Sequence, residues 1–238
     1  MPITNIKLLK KEVVANETMA FYFNKPYGFE FKAGQFGDFT LINPAETDDE
    51  GNTRGFSLAH APHEENLMIA TRMRDTAFKR ILKDIPVGTE LKLDAPYGDF
   101  LLHKTESTPA VFLTGGIGIT PVRSIIADAT YNKLSHKITL IYSNKKPEDA
   151  AFLNDFDKLT KENLNFTFIP VMTRSTPAEW KGEIGHVTKE MLLKYVPNVT
   201  TPRYYLSGPA GMVATMRTIL TDTGANEDNI KTEEFSGY

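Results

Sequence analysis

A short segment near residue 55 carries side chains that could bind a charged, planar ligand. Residues 54–57 read Arg-Gly-Phe-Ser. The guanidinium of Arg54 is permanently charged and forks onto phosphate oxygens, the ring of Phe56 can stack, and Ser57 can donate a hydrogen bond. The same residues also fit an ordinary edge strand with a solvated arginine, so the rest of the chain must distinguish the two interpretations.

Two later loops place glycines between a strand and a helix. Residues 114–121 read TGGIGITP, and such glycines let backbone N–H groups approach a phosphate at a helix N-terminus. The spacing matches neither a Rossmann fingerprint nor a Walker A motif, so a tight structural turn is the alternative. Residues 205–212 read YLSGPAGM, which places Ser207 either beside a ligand crevice or as a helix N-cap.

Turn-bounded segments with the length and spacing of strands occupy the first hundred residues and predict an antiparallel barrel or sandwich. One helix is expected at 76–85, with Asp75 as its N-cap. The acidic loop 46–52 is expected to be a solvated hairpin tip. The expected strands are 6–14, 18–26, 37–44, 54–60, 67–73 and 89–95.

Strands and helices alternate after residue 105, which predicts a parallel α/β sheet. Ligands bind such sheets outside the carboxyl ends of the strands, where both glycine loops would lie. The polar segment 103–109 marks the expected domain boundary. Strands are expected at 109–116, 137–144, 164–171, 203–208 and 230–235, and helices at 120–132, 147–162, 188–196 and 209–224.

The composition argues against several classes of protein. The 238 residues carry a net charge of −3, so no strong positive field favours a nucleic-acid partner. No apolar run approaches the roughly 20 residues that span a bilayer, and no signal-peptide core is evident, so a cytoplasmic location is the default expectation. The absence of cysteine excludes disulfides and cysteine-ligated clusters, and the scattered histidines predict no metal site.

Six segments, in order along the chain, resemble the motifs of the ferredoxin–NADP reductase superfamily. The resemblance covers nearly the whole chain, although Ala33, Ala95 and Ser207 replace the usual Pro, Gly and Cys. It implies an N-terminal antiparallel Greek-key β-barrel with one helix that binds FAD, residues 1–104, and a C-terminal α/β parallel-sheet NAD(P)-binding domain, residues 105–238. The segments are AGQF (33–36), RGFS (54–57), APYGDF (95–100), GGIGITP (115–121), SGPAGM (207–212) and EEF (233–235).

The resemblance implies roles for the barrel residues. Arg54, followed by Gly55, would contact a flavin phosphate. Phe56 would lie along the isoalloxazine, and Ser57 would donate a hydrogen bond toward flavin N5, which accepts hydride. His60 is expected to face solvent rather than the adenine half of FAD.

A second phosphate-binding element is matched by residues 73–78, MRDTAF. The glycine usual in the superfamily is missing, but Thr76 keeps a hydroxyl at a helix start, and Arg72 or Arg74 adds charge. FAD is therefore the expected cofactor, and FMN stays open as the less favoured one.

The second domain is implied to hold the pyridine nucleotide, with Ser207 and Gly208 near the nicotinamide. Serine in place of cysteine predicts slower hydride transfer. Phe235, or alternatively Tyr238, would cover the other flavin face. The residues expected to cradle the dinucleotide are Gly115, Gly116, Gly118, Thr120 and Pro121; those expected to act in catalysis are Ser57, Ser207, Glu233 and Phe235.

The nucleotide preference and the acceptor are less constrained. The second strand of the α/β domain ends YSNKK without a carboxylate, and Thr173-Arg174 resembles the Ser-Arg pair of NADP-using members, so NADPH is favoured over NADH. Electrons would pass from the flavin to a separate acceptor such as ferredoxin or flavodoxin, a haem protein or a quinone. A reductase of free flavin and an electron-transfer protein without turnover of its own, docked on a partner, remain alternatives.

Overall fold

The computed structural model describes residues 3–235. Its N-terminal half is a six-stranded, antiparallel, barrel-like sheet in the order β4-β3-β6-β1-β2-β5. Alternate strand residues point inward, so Phe21, Phe23 and Phe39 share one apolar core with Phe78 of the helix. The elements are β1 Thr4–Ala15, β2 Thr18–Asn24, β3 Phe36–Leu41, β4 Thr53–Ser57, β5 Asn66–Arg72, α1 Ala77–Asp84 and β6 Glu90–Tyr97.

The C-terminal half is a parallel sheet in the order β10-β9-β8-β7-β11-β12, with an apolar cluster on each face. The first strand, β7, is buried throughout and lies between β8 and β11. Strand order therefore reverses at β7, which opens a crevice at its carboxyl end. The elements are β7 Ala110–Gly115, α2 Ile119–Tyr131, β8 Ile138–Asn144, α3 Leu153–Glu162, β9 Phe166–Met172, β10 Glu183–Ile184, α4 Lys189–Tyr195, β11 Arg203–Pro209, α5 Ala210–Asp222 and β12 Ile230–Phe235.

Both predicted sheets are confirmed, and two helix starts are corrected. Thr76, not Asp75, is the N-cap of α1, because its hydroxyl accepts the Lys79 N–H while Asp75 pairs with Arg80. Helix α3 begins at Leu153 rather than at residue 147 because Phe152 adopts a left-handed conformation, with φ of 64°, that interrupts a helix. Among the described residues no helix is both long and apolar enough to cross a bilayer.

The expectation for His60 is wrong. Strand β4 ends at Ser57, and the His60 ring is 1% exposed, with its centroid 4.6 Å from that of Phe31. The backbone N–H of Met68 donates to His60 Nδ1 over 3.1 Å. Burial lowers the pKa of this imidazole to about 3, so His60 is a neutral part of the core.

Arg123 on α2 joins the two sheets. Its Nη1 atom donates to Glu64 Oε2 over 2.8 Å and to the Ala59 carbonyl over 3.0 Å, and its Nε atom donates to Asp155 Oδ2 over 2.8 Å. Burial alone would raise the pKa of Glu64, but the Arg123 guanidinium lowers it. Because Ala59 and Glu64 precede β5 and Arg123 belongs to the α/β half, this ion pair fixes the arrangement of the two halves.

Replacing Arg123 with methionine should lower the free energy of unfolding by about 2 kcal/mol, because Glu64 and Asp155 would lose their buried counter-ion. The measurement is urea unfolding at neutral pH. Arg217→Met is the matched control, since Arg217 pairs with Glu227 on the exposed surface and should change stability by less than about 0.5 kcal/mol. Equal effects of the two substitutions would contradict the assigned role of Arg123.

Candidate active site

A cleft of about 440 Å³ lies between the two halves of the chain. The barrel contributes β4, the end of β5 and the first turn of α1, and the parallel sheet contributes the loop after β7 and the end of β12. The cleft thus collects residues from both sets of predicted motifs. The predicted site residues that line it are Arg54, Gly55, Phe56, Ser57, Arg72, Thr76, Thr120, Glu233 and Phe235.

Four cationic side chains line the barrel side of this cleft: Arg54, Arg72, Arg74 and Lys79. Burial, together with the nearby Arg74 and Arg54 guanidinium groups, lowers the pKa of Lys79. Neighbouring positive charges destabilise the protonated form of each side chain, and a bound anion would stabilise it. The residues present therefore fit the diphosphate of a flavin dinucleotide. The sequence analysis missed Lys79, although its place in the first turn of a helix beside a basic segment was a usable signal.

The acidic loop 46–52 is the exposed tip of the β3–β4 hairpin, as expected, but two of its carboxylates pair with a cation of the cleft. Asp48 Oδ1 lies 2.6 Å from Arg54 Nη2, and Glu50 Oε2 lies 2.9 Å from Arg54 Nε. The Arg54 side chain is only 16% exposed as a result. The loop therefore lies over the guanidinium because its carboxylates find their counter-ion there.

Phe56 and Ser57 lie at the end of β4, where the strand meets the cleft. The Phe56 ring packs against Phe39 and Phe78, with centroids 5.9 and 5.7 Å away. Ser57 is 5% exposed and pairs with Phe36 of β3, which also lines the cleft. The barrel core thus fixes Phe56 from behind while leaving it on the cleft wall.

The two glycine loops contact each other through their backbones. A Cβ atom on Gly118 would lie 2.6 Å from the Gly208 nitrogen and from the Ser207 carbonyl group, and one on Gly115 would lie 2.2 Å from Met212 Sδ. Ser207 is fully buried, and its hydroxyl donates to the Gly118 carbonyl over 2.7 Å. It is not the N-cap of α5, a position taken by Pro209. These glycines are thus required for close packing of the loops.

Several predicted nucleotide-binding residues lie behind or beside the cleft rather than on its wall. Thr120 lines the wall, and its hydroxyl donates to the Ile117 carbonyl over 3.0 Å. Pro121 is buried in the first turn of α2. Arg174 is exposed beyond β9, where its N–H donates to the Lys145 carbonyl over 2.9 Å. The cleft lining does not include Gly115, Gly116, Gly118, Pro121, Arg174, Ser207 or Gly208.

Strand β12 brings a carboxyl group and an aromatic ring to the cleft. Glu233 pairs in register with Ser207, and Phe235 is partly exposed at the strand end. The buried Oε2 atom of Glu233 has no hydrogen-bond partner among residues 3–235. Burial and the charge of Asp99 raise the pKa of Glu233 to about 7, so this group changes protonation near neutral pH. Tyr238, the alternative to Phe235, lies outside the described residues.

Glu233 should make stability fall as pH rises. Its pKa rises from 4.5 to about 7 on folding, so between these values the folded state holds a proton that the unfolded state has released, and above pH 7 that advantage is lost. The free energy of unfolding should drop by about 2 kcal/mol between about pH 5 and pH 8. Glu233→Gln should remove most of that drop, whereas Glu234→Gln, a change at the exposed neighbour, should preserve it.

The chain resembles known proteins in both halves. Residues 112–218 match the sequence profile of the oxidoreductase NAD-binding domain family. The chain is 28% identical over 231 residues to a component of the Na(+)-translocating NADH-quinone reductase of Pseudoalteromonas atlantica, a match covering 90% of this chain and 56% of that protein. It is 26% identical over 242 residues to the reductase component of propane 2-monooxygenase from Rhodococcus jostii, covering 98% and 62%. The chain therefore spans little more than half the length of these relatives.

Solved structures show the same fold. A ferredoxin NADP+ reductase from Neisseria gonorrhoeae with bound FAD and NADP superposes with a TM-score of 0.80 at 24% identity, covering 98% of this chain and 99% of that one. The flavohem-like FAD/NAD binding domain of nitric oxide dioxygenase from Vibrio cholerae gives 0.83 at 19% identity, covering 97% and 98%. These structures share with this chain a barrel joined to a parallel α/β sheet. The predicted fold, an antiparallel barrel followed by a parallel α/β sheet, is thus confirmed as the one that these ferredoxin–NADP reductase-like structures share.

Proposed function

We propose that the protein is an NAD(P)H-dependent flavoprotein reductase that binds FAD in the cleft, accepts hydride from NAD(P)H and passes electrons to a separate acceptor. One observation carries the proposal: a single cleft has a cationic cluster on its barrel wall and the nucleotide-type loop after β7 on the other. The first wall suits a diphosphate and the second a dinucleotide. The two reactants would thus meet in one place.

The residues of the cleft would position the cofactor and control access to it. Bound FAD would supply a ring system that accepts hydride at N5. Arg54 and Lys79 would neutralise its diphosphate, and Ser57 would donate a hydrogen bond to the ring. Phe235 would exclude water from the exposed ring face. Glu233, whose pKa is about 7, would hold or release a proton beside the ring at neutral pH.

The experiment that tests this function is the visible spectrum of the purified protein before and after anaerobic addition of NADPH or NADH. A flavin spectrum that is bleached by a reduced nucleotide supports the proposal. A colourless protein that binds no added FAD or FMN would overturn it.

The nucleotide is proposed to be NADPH, on the evidence of cations at the carboxyl edge of the sheet. Arg174 and Lys145 are joined there through their backbones, and no carboxylate ends β8 to bind a ribose 2′-hydroxyl. Arg174→Gln should raise the KM for NADPH about 10-fold and leave that for NADH unchanged, because only NADPH carries the extra phosphate. Lys161→Gln, a change on the exposed end of α3, is the control. An equal rise for both nucleotides would exclude 2′-phosphate recognition by Arg174.

The acceptor is proposed to be a separate redox partner, such as a ferredoxin, a flavodoxin or a quinone. The similar proteins include one named for quinone reduction and the reductase component of a monooxygenase. The chain itself has no cysteine to ligate a cluster. Stopped-flow oxidation of the reduced protein by each acceptor class would identify the fastest partner, and a protein oxidised only by releasing its flavin would instead be a reductase of free flavin.

A further inference from the structure

The carboxylate of Asp48 pairs with Arg54, one of the cations proposed to bind the flavin phosphate. Its Oδ1 atom accepts a hydrogen bond from Arg54 Nη2 over 2.6 Å. The backbone N–H of Ala77, the first residue of α1, also lies near this carboxylate and helps to lower its pKa. A guanidinium facing a helix N-terminus is an arrangement that proteins use to bind phosphate. In this chain an internal anion already occupies that arrangement.

The rest of the loop contacts the other two nitrogens of the Arg54 guanidinium. Its Nε atom faces Glu50 Oε2 over 2.9 Å, and its Nη1 atom donates to the carbonyls of Glu50, Gly51 and Thr53 over 2.8–3.0 Å. Every nitrogen of this guanidinium therefore contacts the segment 48–53. A ligand phosphate can engage Arg54 with full hydrogen bonding only if part of the loop moves away.

The loop is also anchored at its beginning. Glu46 accepts two hydrogen bonds from Arg80 of α1, over 2.8 and 2.7 Å. Asp48 stays ionised because its hydrogen bond with Arg54 lowers its pKa. The segment from Glu46 to Arg54 thus forms a strap across the first turn of α1, with an anion held at its centre.

Two of the three remaining cations of the cleft are available to attract an external anion. Arg74 and Lys79 have no ion pair within residues 3–235, and both line the cleft beside Arg54. A diphosphate attracted by these two cations would meet the loop at Glu50, which lines the cleft, and would compete with Asp48 for Arg54. Two anions cannot occupy the space between Arg54 and the start of α1, so one must displace the other.

We propose that Asp48 is an internal competitor for the phosphate of the flavin and that exchange of one anion for the other sets flavin affinity. The inference rests on the proposed flavin site and adds a specificity determinant to it. It predicts that the loop weakens binding of phosphate-bearing flavins and has no effect on a flavin without phosphate. It also predicts that the loop leaves Arg54 when FAD binds.

The test compares FAD with riboflavin, which has no phosphate, on the full chain after flavin removal. Dissociation constants come from quenching of flavin fluorescence. Asp48→Asn keeps the size of the side chain and removes its charge. It should lower the dissociation constant for FAD about 10-fold and leave that for riboflavin unchanged. Glu50→Gln should lower the dissociation constant for FAD about threefold, because it removes one ion pair between the strap and Arg54 but leaves the Asp48 carboxylate charged. Asp49→Asn, at the exposed residue between them, should change neither constant.

Two results would overturn the competition. Weaker FAD binding by Asp48→Asn would show that Asp48 supports Arg54 rather than opposing the ligand. Equal tightening of FAD and riboflavin would show general opening of the cleft. Binding of inorganic pyrophosphate, followed by calorimetry, separates this inference from the proposed function. One outcome is that the wild-type protein binds neither flavin while Asp48→Asn binds pyrophosphate more tightly than wild type does. The proposed flavin function would then be wrong, and the inference that Asp48 competes with a phosphate would be supported.

Discussion

Replacing Arg54 with glutamine is expected to raise the dissociation constant for FAD by about 100-fold. The Arg54 side chain is only 16% exposed, so its charge is poorly screened by water. Two charge-assisted hydrogen bonds to a phosphate, each contributing about 1.5 kcal/mol, correspond to that factor. The substitution also leaves the Asp48 carboxylate without its main partner beside the incoming phosphate, which adds repulsion.

Equilibrium titration of the flavin-free protein with FAD measures this effect. Arg217→Gln is the control, because Arg217 pairs with Glu227 on the exposed surface and does not line the cleft. The control should bind FAD within about threefold of wild type. Riboflavin affinity should be unaffected by Arg54→Gln. A large loss for riboflavin as well would mean that the substitution disrupts the barrel wall instead of removing a phosphate ligand.

The elements that place the cleft were predictable because their signals are local. Strand β7 is apolar throughout and ends in glycines, which is typical of a buried parallel strand followed by a ligand loop. The segment 54–57 was recognised because a guanidinium, a ring and a hydroxyl follow one another on one strand. Both features depend on neighbours in sequence; the structure places residues 54–57 on the cleft wall and brings Ile117 and Thr120 of the loop after β7 to the same cleft.

The features that the sequence analysis missed depend on partners distant in the chain. His60 was assigned to solvent because its burial depends on Phe31 and on a backbone donor at Met68. The predicted start of helix α3 lies too early in the chain, because a helical pattern of residues cannot reveal the left-handed backbone of Phe152. Such choices are decided by tertiary packing, which single-sequence patterns do not record.

The ion pairs of the acidic loop 46–52 also could not be predicted from neighbouring residues. A run of carboxylates is usually solvated, and nothing in its composition identifies a counter-ion. Asp48 precedes Arg54 by six positions, and only the turn between β3 and β4 brings the carboxylate close to both the guanidinium and the first N–H of α1. The structure therefore gives a segment with no predicted role two ion pairs with a cation of the cleft.

Gly118→Ala is expected to lower the free energy of unfolding by about 3 kcal/mol. The new methyl group would lie 2.6 Å from backbone atoms of Ser207 and Gly208, and backbone cannot move aside as a flexible side chain can. Because Gly118 itself has an ordinary helical conformation, with φ of −59°, the cost comes from the contact and not from strain at residue 118. The two loops would separate, which also breaks the hydrogen bond from Ser207 to the Gly118 carbonyl.

Gly211→Ala is the matched control and should change stability in the opposite direction. Gly211 lies in the first turn of α5, and a Cβ atom there would meet nothing within 4 Å. Alanine in a helix without new contacts stabilises a protein by about 0.5–1 kcal/mol relative to glycine. Urea unfolding of both variants and NADPH titration of each measure the contrast. Wild-type stability and nucleotide binding in Gly118→Ala would mean that the loops do not pack backbone to backbone, and the glycines would then be explained by the ligand alone.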